Sequence, residues 1–578
     1  MDNSTAPRGA STSLGSENAL RDSLVEVAVG LAPRLLGQLC RIPAMRSYGS
    51  FDRCHWNTAL SGVANSRSQE AVLFLVLLHA IPHAGNPYHG QPMLLEWAKG
   101  SMQTWADMQL SSGAFNDLYP CEHSYVATAF SGYAVATAAS LLGKEGVSDP
   151  VLRALNRCGV WLAKATPSPV LNQVLGAAAA LAAIGGVLDS PALLAASERA
   201  LNTAAARQSP EGWFPEYGGP DIGYLSVAVD YLGKVFDLTE DQQAFDMASK
   251  ALRFLAHFIH PDGSTGGEYG SRGTEYLLPD GLAVFSRRVP LAADMLRSFH
   301  RGLCARSLAD IRAVDDRYLL FNGYTYLQAA GRDFRLGQEQ PDPGPSFVHF
   351  EEAGLVRHRG PRLYLVANLR KGGAFYVAWP ETGVSFQDGG VLFQGVGQWW
   401  TSSMIGASQV ERRLPADFSC SGWLTAPLDN RTSVLRVCLL GLAGTISGCI
   451  PAGPRILKGV LRRLVVHKRI TGGPVFSRRF EVHSDGSLVV TDTGEPPGEV
   501  VTIVVGSPLN AIYGESSRFF TPSQLTPSAL RLSAQEANLG EGKFLISRRY
   551  SPLRDGGVSV CVSTGAPLEI NYTLPKRQ

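Results

Sequence analysis

The chain has 578 residues, of which 45% are apolar and 18% charged, and Lys plus Arg exceed Asp plus Glu by 52 to 50 for a net charge of +2. This composition excludes global disorder, and the length predicts two or more domains. A near-zero balance gives no general electrostatic reason to bind nucleic acid or an anionic membrane, which leaves only a local basic cleft open.

The first 20 residues are small and polar. They read as a disordered tail over 1–20, and they lack the apolar core of a secretory signal, which predicts a cytoplasmic protein. Nine cysteines stand at 40, 54, 121, 158, 304, 420, 438, 449 and 561, an odd number with no CxxC pair. Reduced, mostly buried thiols are expected, without a disulfide framework or a zinc ribbon. The longest apolar runs, Ala71–Ala80 and Val174–Val187, are too short or too rich in small residues to span a bilayer and read as buried helices.

Helix-length apolar stretches recur at 22–40, 69–82, 92–108, 125–143, 150–165, 171–186, 191–207, 222–237, 241–259 and 290–309. From about residue 318 the texture changes to short alternating segments: 362–369, 374–379, 433–442, 461–470, 487–493 and 500–506. Gly331–Gly344 reads as the linker. The expected organisation is a tail over 1–20, a helical catalytic domain over 21–315 and an antiparallel β-sandwich over 316–578.

The helical half contains a repeat. Segments beginning at Gln109 and Gln208 place Gly113 and Gly212 four residues on, Phe115 and Phe214 two further, and then an acid (Glu122, Asp221) and a tyrosine (Tyr125, Tyr224) nine and twelve after the glycine. A third copy at His260 needs one inserted residue to align Tyr276, and a fourth is expected near 160 for a period of about 50 residues. Stacked helical hairpins of this kind predict an N-terminal α/α toroid, an incomplete helical-hairpin barrel, whose equivalent loops gather at one mouth. Those loops carry Glu122, His123, Tyr125, Asn172, Gln173, Glu216, Tyr217, Asp221, Tyr224, Glu268, Tyr269, Arg272, Glu275 and Tyr276. Earlier loops add Arg53, His55, Trp56 and Asn57, and then Asn86, Tyr88 and His89.

Aromatic rings beside carboxylates, amides and an arginine suit a carbohydrate, since rings stack on sugar faces and polar groups read hydroxyls. Two reactions fit. β-Elimination on a uronic-acid glycan needs the substrate carboxylate neutralised, a base on the C5 proton and an acid on the leaving oxygen. Asn172 or Arg272 suits the first task and Tyr224 or His123 the proton transfers. Glycoside hydrolysis would instead use a pair drawn from Glu122, Glu216, Asp221, Glu268 and Glu275. For Glu216 and Glu268 a loop-tying role weighs about equally. No dinucleotide, P-loop or HExxH motif occurs. His79 and His83 read as helix-end histidines rather than metal ligands, and the basic residues Arg462, Arg463, His467, Lys468 and Arg469 as a solvated strand face.

Three passages resemble the heparinase II/III-like polysaccharide lyases. The helix over 172–185 resembles the family helix that opens on its carboxylate-neutralising asparagine, 211–224 resembles the segment carrying a loop carboxylate and the catalytic tyrosine, and 362–379 with 385–393 resembles the opening strands of the C-terminal domain. The resemblance implies a toroid followed by a β-sandwich. It puts Asn172 in the neutralising role, Tyr224 in the catalytic one and Glu216 at the loop carboxylate. Gln173 stands where the family has a histidine, and Asn368 and Leu369 occupy the stretch of its β-domain histidine, so His123 or His349 would take that part.

The expected function is therefore a carbohydrate-active enzyme of lyase type, acting on an oligo- or polysaccharide in the toroid mouth. Tyr224, Asn172, His123 and Arg272 are its catalytic candidates. Arg53, His55, Trp56, Glu122, Tyr125, Glu216, Tyr217, Asp221, Glu268, Tyr269, Glu275 and Tyr276 are its substrate-binding ones. The reading calls for no cofactor, metal, nucleic acid or membrane span, and leaves the oligomeric state open. The alternatives are a hydrolase on the same loops and a non-catalytic glycan-binding protein of a surface-polysaccharide pathway.

Overall fold

A computed structural model of the chain describes residues 16–58, 62–338, 346–426, 433–448, 450, 453, 456–457, 473–506, 529–537, 543–554, 556–564 and 569–574. Helices come first: α1 (Glu17–Leu36), α2 (Arg53–Trp56), α3 (Ala71–Ala80), α4 (Pro92–Asp107), α5 (Tyr125–Leu142), α6 (Asp149–Lys164), α7 (Leu171–Leu188), α8 (Pro191–Ala205), α9 (Ile222–Thr239), α10 (Gln242–Ala256), α11 (Pro279–Phe285), α12 (Pro290–Ala305), α13 (Asp316–Asn322) and α14 (Tyr324–Gly331).

The helices fall into two layers. α3 packs on α5, α5 on α7, and α14 on both α3 and α11. α9 joins this series through a stack of Tyr231 on Phe130 of α5, with centroids 4.7 Å apart, and an ion pair of Lys234 with Asp280 of α11 at 3.4 Å. Around them α4 packs on α6, α6 on α8, α8 on α10, α10 on α12 and α12 on α1, while α1 returns to α14. The unit is an α/α toroid, with α3, α5, α7, α9, α11 and α14 inside and α4, α6, α8, α10, α12 and α1 outside.

Sequence explains the layering. α3, α5 and α7 are apolar nearly all round and buried, whereas α6, α10 and α12 bury one stripe only. Small residues let inner helices close on one another: a Cβ at Gly176 of α7 would lie 2.1 Å from the Phe130 ring. α5 and α7 are long and apolar enough to cross a membrane by length and composition, yet they are 67% and 83% buried within the protein and are its core helices.

Strands follow: β1 (Phe347–Phe350), β2 (Leu355–Arg359), β3 (Tyr364–Asn368), β4 (Ala374–Trp379), β5 (Val384–Asp388), β6 (Leu392–Gly395), β7 (Trp399–Thr401), β8 (Ser408–Leu414), β9 (Asp417–Trp423), β10 (Val475–Val482), β11 (Leu488–Gly494), β12 (Val500–Val505), β13 (Leu530–Ser533), β14 (Phe544–Pro552), β15 (Val558–Ser563) and β16 (Glu569–Leu574). They form three antiparallel sheets, β1-β2-β3-β4-β5, β16-β15-β14-β11-β10-β9-β8 and β13-β12-β6-β7. Val356, Phe375 and Trp379 from the first, Phe418, Phe480 and Ile546 from the second and Phe393 and Ile503 from the third share one buried core, the packing of a β-sandwich. Within it Arg478 and Arg548 are both clamped between Asp388 and Asp492, at 2.5–3.2 Å, and all four are buried. Two positive and two negative charges there satisfy one another.

The structure corrects several expectations. Residues 17–20, expected within a tail over 1–20, are instead the first turn of α1, which Ser16 caps by accepting the Ala19 N–H at 3.1 Å. The helical domain does not end at 315: α13 and α14 extend it to Gly331, and the first strand starts at Phe347. The rest of the expected linker, 339–344, lies outside the described residues, as does the expected strand over 461–470 with its basic residues. The segment 433–442, expected as a strand, belongs to helix α15 (Val434–Gly448). A short apolar run fits both periods, and here Leu435, Leu439, Leu442 and Ile446 fall on one helical stripe. Eight cysteines are described and free, but only Cys40, Cys158 and Cys420 are buried, so the thiols are not mostly interior.

The division between compact units does not follow the change from helix to strand. Arg207–Leu225 and His257–Tyr276, the loops after α8 and α10, group with the strands rather than with the helices they join.

Candidate active site

The repeat is real at the level of backbone hydrogen bonds. Gly113 N–H donates to Leu110 O and Leu110 N–H to Ala114 O; Gly212 to Ser209 and Ser209 to Trp213 do the same, as do Gly263 to His260 and His260 to Ser264, all at 2.8–3.0 Å. Gln109 and Gln208 each donate their side-chain amide to the glycine carbonyl four residues on, at 3.0 and 2.9 Å. The copy expected near 160 is the short connection between α6 and α7. Long loops thus precede the inner helices α5, α9 and α11, which places Tyr125 and Tyr224 in equivalent first turns.

In the helical unit, Glu122 is buried and its carboxylate accepts the Asp117 and Leu118 N–H groups at 3.0 and 2.7 Å, so it ties its own loop. His123 has φ +48° and lies 2.9 Å from Ser112 Oγ through Nδ1; burial holds its imidazole below the usual pKa. Tyr125 opens α5 with its ring tilted on Trp161, and burial pushes its phenol upward. Asn172 is the buried second residue of α7. Arg53, His55 and Trp56 form α2, capped by Asp52, and Trp56 Nε1 donates to Gln38 O at 2.8 Å. That bond makes Trp56 a packing residue of its loop as much as a surface one.

The second unit brings the other candidates together. Asp221, directly before α9, is 1% exposed. Its Oδ1 accepts the Tyr224 N–H at 3.2 Å as an N-cap, and its Oδ2 accepts the Arg272 N–H at 2.8 Å. The Thr274 hydroxyl donates to the same carboxylate, and Ser271 Oγ donates to Glu216 O at 2.7 Å. Two loops about fifty residues apart are thereby locked into one body, with Asp221 as the shared acceptor. Glu216 and Gly219 close a two-residue hairpin turn whose central residues, Tyr217 and Gly218, have φ of +54° and +100°. A bulky residue in the left-handed region is strained, and such strain concentrates at functional sites. The Arg272 guanidinium lies 4.4 Å from the Tyr217 ring centroid, and Tyr217 is tilted on Tyr224 at 5.8 Å.

The sheet supplies residues that sequence reasoning missed. Lys371, fully buried in the β3–β4 turn, donates to Glu268 O and Gly270 O at 2.7 and 2.8 Å and lies 3.9 Å from Glu268 Oε2. Burial lowers the Lys371 pKa and raises that of Glu268. Asn368 donates to Tyr269 O at 2.7 Å, Gln387 of β5 accepts the Glu268 N–H at 2.8 Å and donates to Glu275. On the other loop, Glu211 accepts the Glu352 and Ala353 N–H groups of the β1–β2 turn, and the Ser209 hydroxyl donates to Glu352. These contacts explain why both loops group with the strands. A turn lysine and strand amides of a remote sheet carry no motif, so only the fold reveals them.

This geometry also places candidates in the interior. Tyr269, expected to bind substrate, is fully buried; its hydroxyl lies 3.0 Å from His260 Nε2 and accepts the Gly266 N–H, making it an interior post. His260, which opens the third copy of the repeat, stacks on Tyr376 at 3.6 Å and 9° in the same interior group. Tyr276 is likewise almost wholly buried, and Glu275 is engaged by Gln387. Glu216, Tyr217, Asp221, Tyr224, Glu268 and Arg272 remain as the joined cluster. Among the described residues no group of three or more His, Cys, Asp or Glu side chains is arranged to hold a metal.

No protein-family model matches the chain, and no curated protein matches it. Among solved structures it is similar to a Streptomyces coelicolor A3 chondroitin AC lyase in complex with chondroitin sulphate (12% identity, 97% of this chain and 90% of that one, TM-score 0.44). It is also similar to heparinase III (11%, 98% and 98%, 0.42) and to a heparan sulfate lyase HepC mutant from Pedobacter heparinus (11%, 96% and 77%, 0.40).

Proposed function

We propose that the chain is a carbohydrate-active enzyme that cleaves uronic-acid glycans by β-elimination. The observation that carries this reading is the single carboxylate of Asp221, which accepts the backbone of both Tyr224 and Arg272. It fixes the backbone positions that carry a phenol and a guanidinium, from separate loops, and the Tyr217 ring touches both side chains; preorganisation of that kind is what proton transfer next to a developing anion requires.

In this mechanism Tyr224 moves the proton. The C5–H bond breaks, its electron pair forms the C4–C5 double bond, the bond from C4 to the leaving oxygen breaks, and that oxygen takes up a proton. Arg272 supplies positive charge against the carboxylate that develops enolate character, and the Tyr217 ring under it offers a sugar-stacking face. Asn172 as carboxylate neutraliser and His123 as base enter on the sequence reading alone.

Hydrolysis is the second reading, favoured by one observation: burial raises the Glu268 carboxyl pKa, as a general acid needs. The test is incubation with uronic-acid oligosaccharides while following the near-ultraviolet absorbance of the unsaturated product. Elimination yields that chromophore, and Tyr224→Phe lowers its rate by about 10²–10⁴ while leaving glycan binding intact. New reducing ends without the chromophore would transfer the assignment to hydrolysis. Glycan binding with no turnover at all would make the protein a binder.

A further inference from the structure

The outer helix α6 turns a basic face away from the core. Arg153, Asn156 and Arg157 are exposed, while Val151, Ala154, Leu155 and Cys158 between them are buried in the helical unit. The two arginines stand one turn apart, where like charges repel and weaken a helix. Neither has a carboxylate partner among the described residues. All three exposed residues line a cavity of about 630 Å³, with apolar surface from Pro150 and Leu152. Ligand sites have volumes of about 300–1,000 Å³. The carboxylate in the lining, Asp107 at the end of α4, accepts the Gln103 side-chain amide at 2.9 Å.

The cavity adjoins the first repeat loop, which carries His123 and leads into Tyr125. Gln109 of that loop donates its amide to Ala154 O at 2.8 Å, and a Cβ at Gly113 would lie 2.4 Å from Arg157 O. Ser112, next to that glycine, lies 2.9 Å from His123. Trp161, one turn beyond Arg157, meets the Tyr125 ring at 6.3 Å. From Arg153 to Trp161 the helix rises about 12 Å, within reach of a short oligosaccharide. Planar guanidiniums grip oxyanions with two hydrogen bonds each, and an anion between Arg153 and Arg157 removes their repulsion. We infer that this cavity is an anchoring subsite for the acidic group of a glycan, with Arg153 and Arg157 on its carboxylate or sulfate and Asn156 on a hydroxyl. The inference rests on the glycan reading above, and it assigns part of the recognition of substrate charge to the helical unit.

The experiment is calorimetric titration of the full chain, in the Tyr224→Phe background so that ligand is not consumed. The ligands are an unsulfated uronic-acid decasaccharide, its O-sulfated form, its carboxyl-reduced neutral form and a disaccharide of the same repeat. The charged decasaccharides are expected to bind at least about tenfold more tightly than the neutral one. That difference should shrink from about 0.1 M to 1 M salt, where the Debye length falls from about 10 to 3 Å. Adding Arg153→Gln with Arg157→Gln should weaken the charged decasaccharides about tenfold and the disaccharide not at all. The melting temperature should hold, because both side chains are exposed. A loss with the unsulfated decasaccharide assigns the carboxylate, and a loss with the sulfated one alone assigns the sulfate. Undiminished affinity for both charged forms in the double arginine variant, or an equal loss with the neutral form, would overturn the anchor, even where the native protein releases unsaturated product. Arginine-dependent binding in a native protein that turns nothing over would instead sink the elimination reading and uphold the anchor.

Discussion

Asp221 accepts the backbone N–H of Arg272 at 2.8 Å, across 51 residues of sequence, while its other oxygen caps the helix that begins with Ile222 and carries Tyr224. One buried carboxylate therefore sets the positions of two side chains whose roles need separate loops. Asp221→Ala is expected to lower stability by about 2–4 kcal/mol, through a lost cap and lost hydrogen bonds to a charged acceptor. Asp221→Asn keeps the cap but turns an amide donor on one group of N–H donors. It should retain more of the stability than the alanine variant and still lose turnover, as read by denaturant melts beside product absorbance.

Tyr217 combines a left-handed backbone with a ring that touches both Arg272 and Tyr224. Tyr217→Gly relieves about 1 kcal/mol of strain and forfeits a cation–π contact of similar size, so stability should barely move. kcat/KM should fall, and Tyr217→Phe, which keeps the ring, should preserve it. Equal kcat/KM in all three would show that the ring does nothing for substrate.

Lys371 donates to two carbonyls of the loop that carries Arg272. Lys371→Met leaves those carbonyls unsatisfied, and the expected cost is about 1–3 kcal/mol. The loosened loop should become sensitive to trypsin after Arg272. Limited proteolysis of the native and variant proteins reads this directly, and an unchanged digestion pattern would mean that Gln387 and Asn368 suffice to hold the loop.

Arg478 and Arg548 hold the Asp388 carboxyl below the usual carboxylate range. A depressed folded pKa contributes stability above the unfolded value, about 3.9, and that stability is lost as pH falls through the lower folded value. Asp388→Asn should destabilise the sandwich by about 3–5 kcal/mol near neutral pH, because it leaves buried guanidinium charge uncompensated. Its melting temperature should depend less on pH than the native protein's below about pH 4. Thermal melts across pH decide it.

Most helices were legible because their apolar residues recur with the period of a helix, and their starts coincide with Ser, Asp or Pro, as at Ser124 before α5 and Pro92 and Pro191 opening α4 and α8. α13 and α14 were not, since each is eight residues or fewer and stands beside strand-like texture. α15 differs from the strand expected over 433–442 because Val and Leu in a short run fit either period.

The repeat by itself determined that Tyr125, Tyr224 and Asp221 occupy recurrent positions, because a hairpin that stacks on its copies must repeat its turn glycine and the residues around it. Only the tertiary structure decided what those positions do. Glu122 and Asp221 hold the same place in the repeat, yet one ties its own loop and the other joins two loops. The partners that make the difference, Arg272 and Thr274, approach Asp221 through space from 51 and 53 residues away, and Lys371 and Gln387 of the sheet hold the same loop at Glu268. Hydrogen bonding is short-ranged and directional, so a residue's chemistry follows from neighbours that folding alone brings within 3 Å.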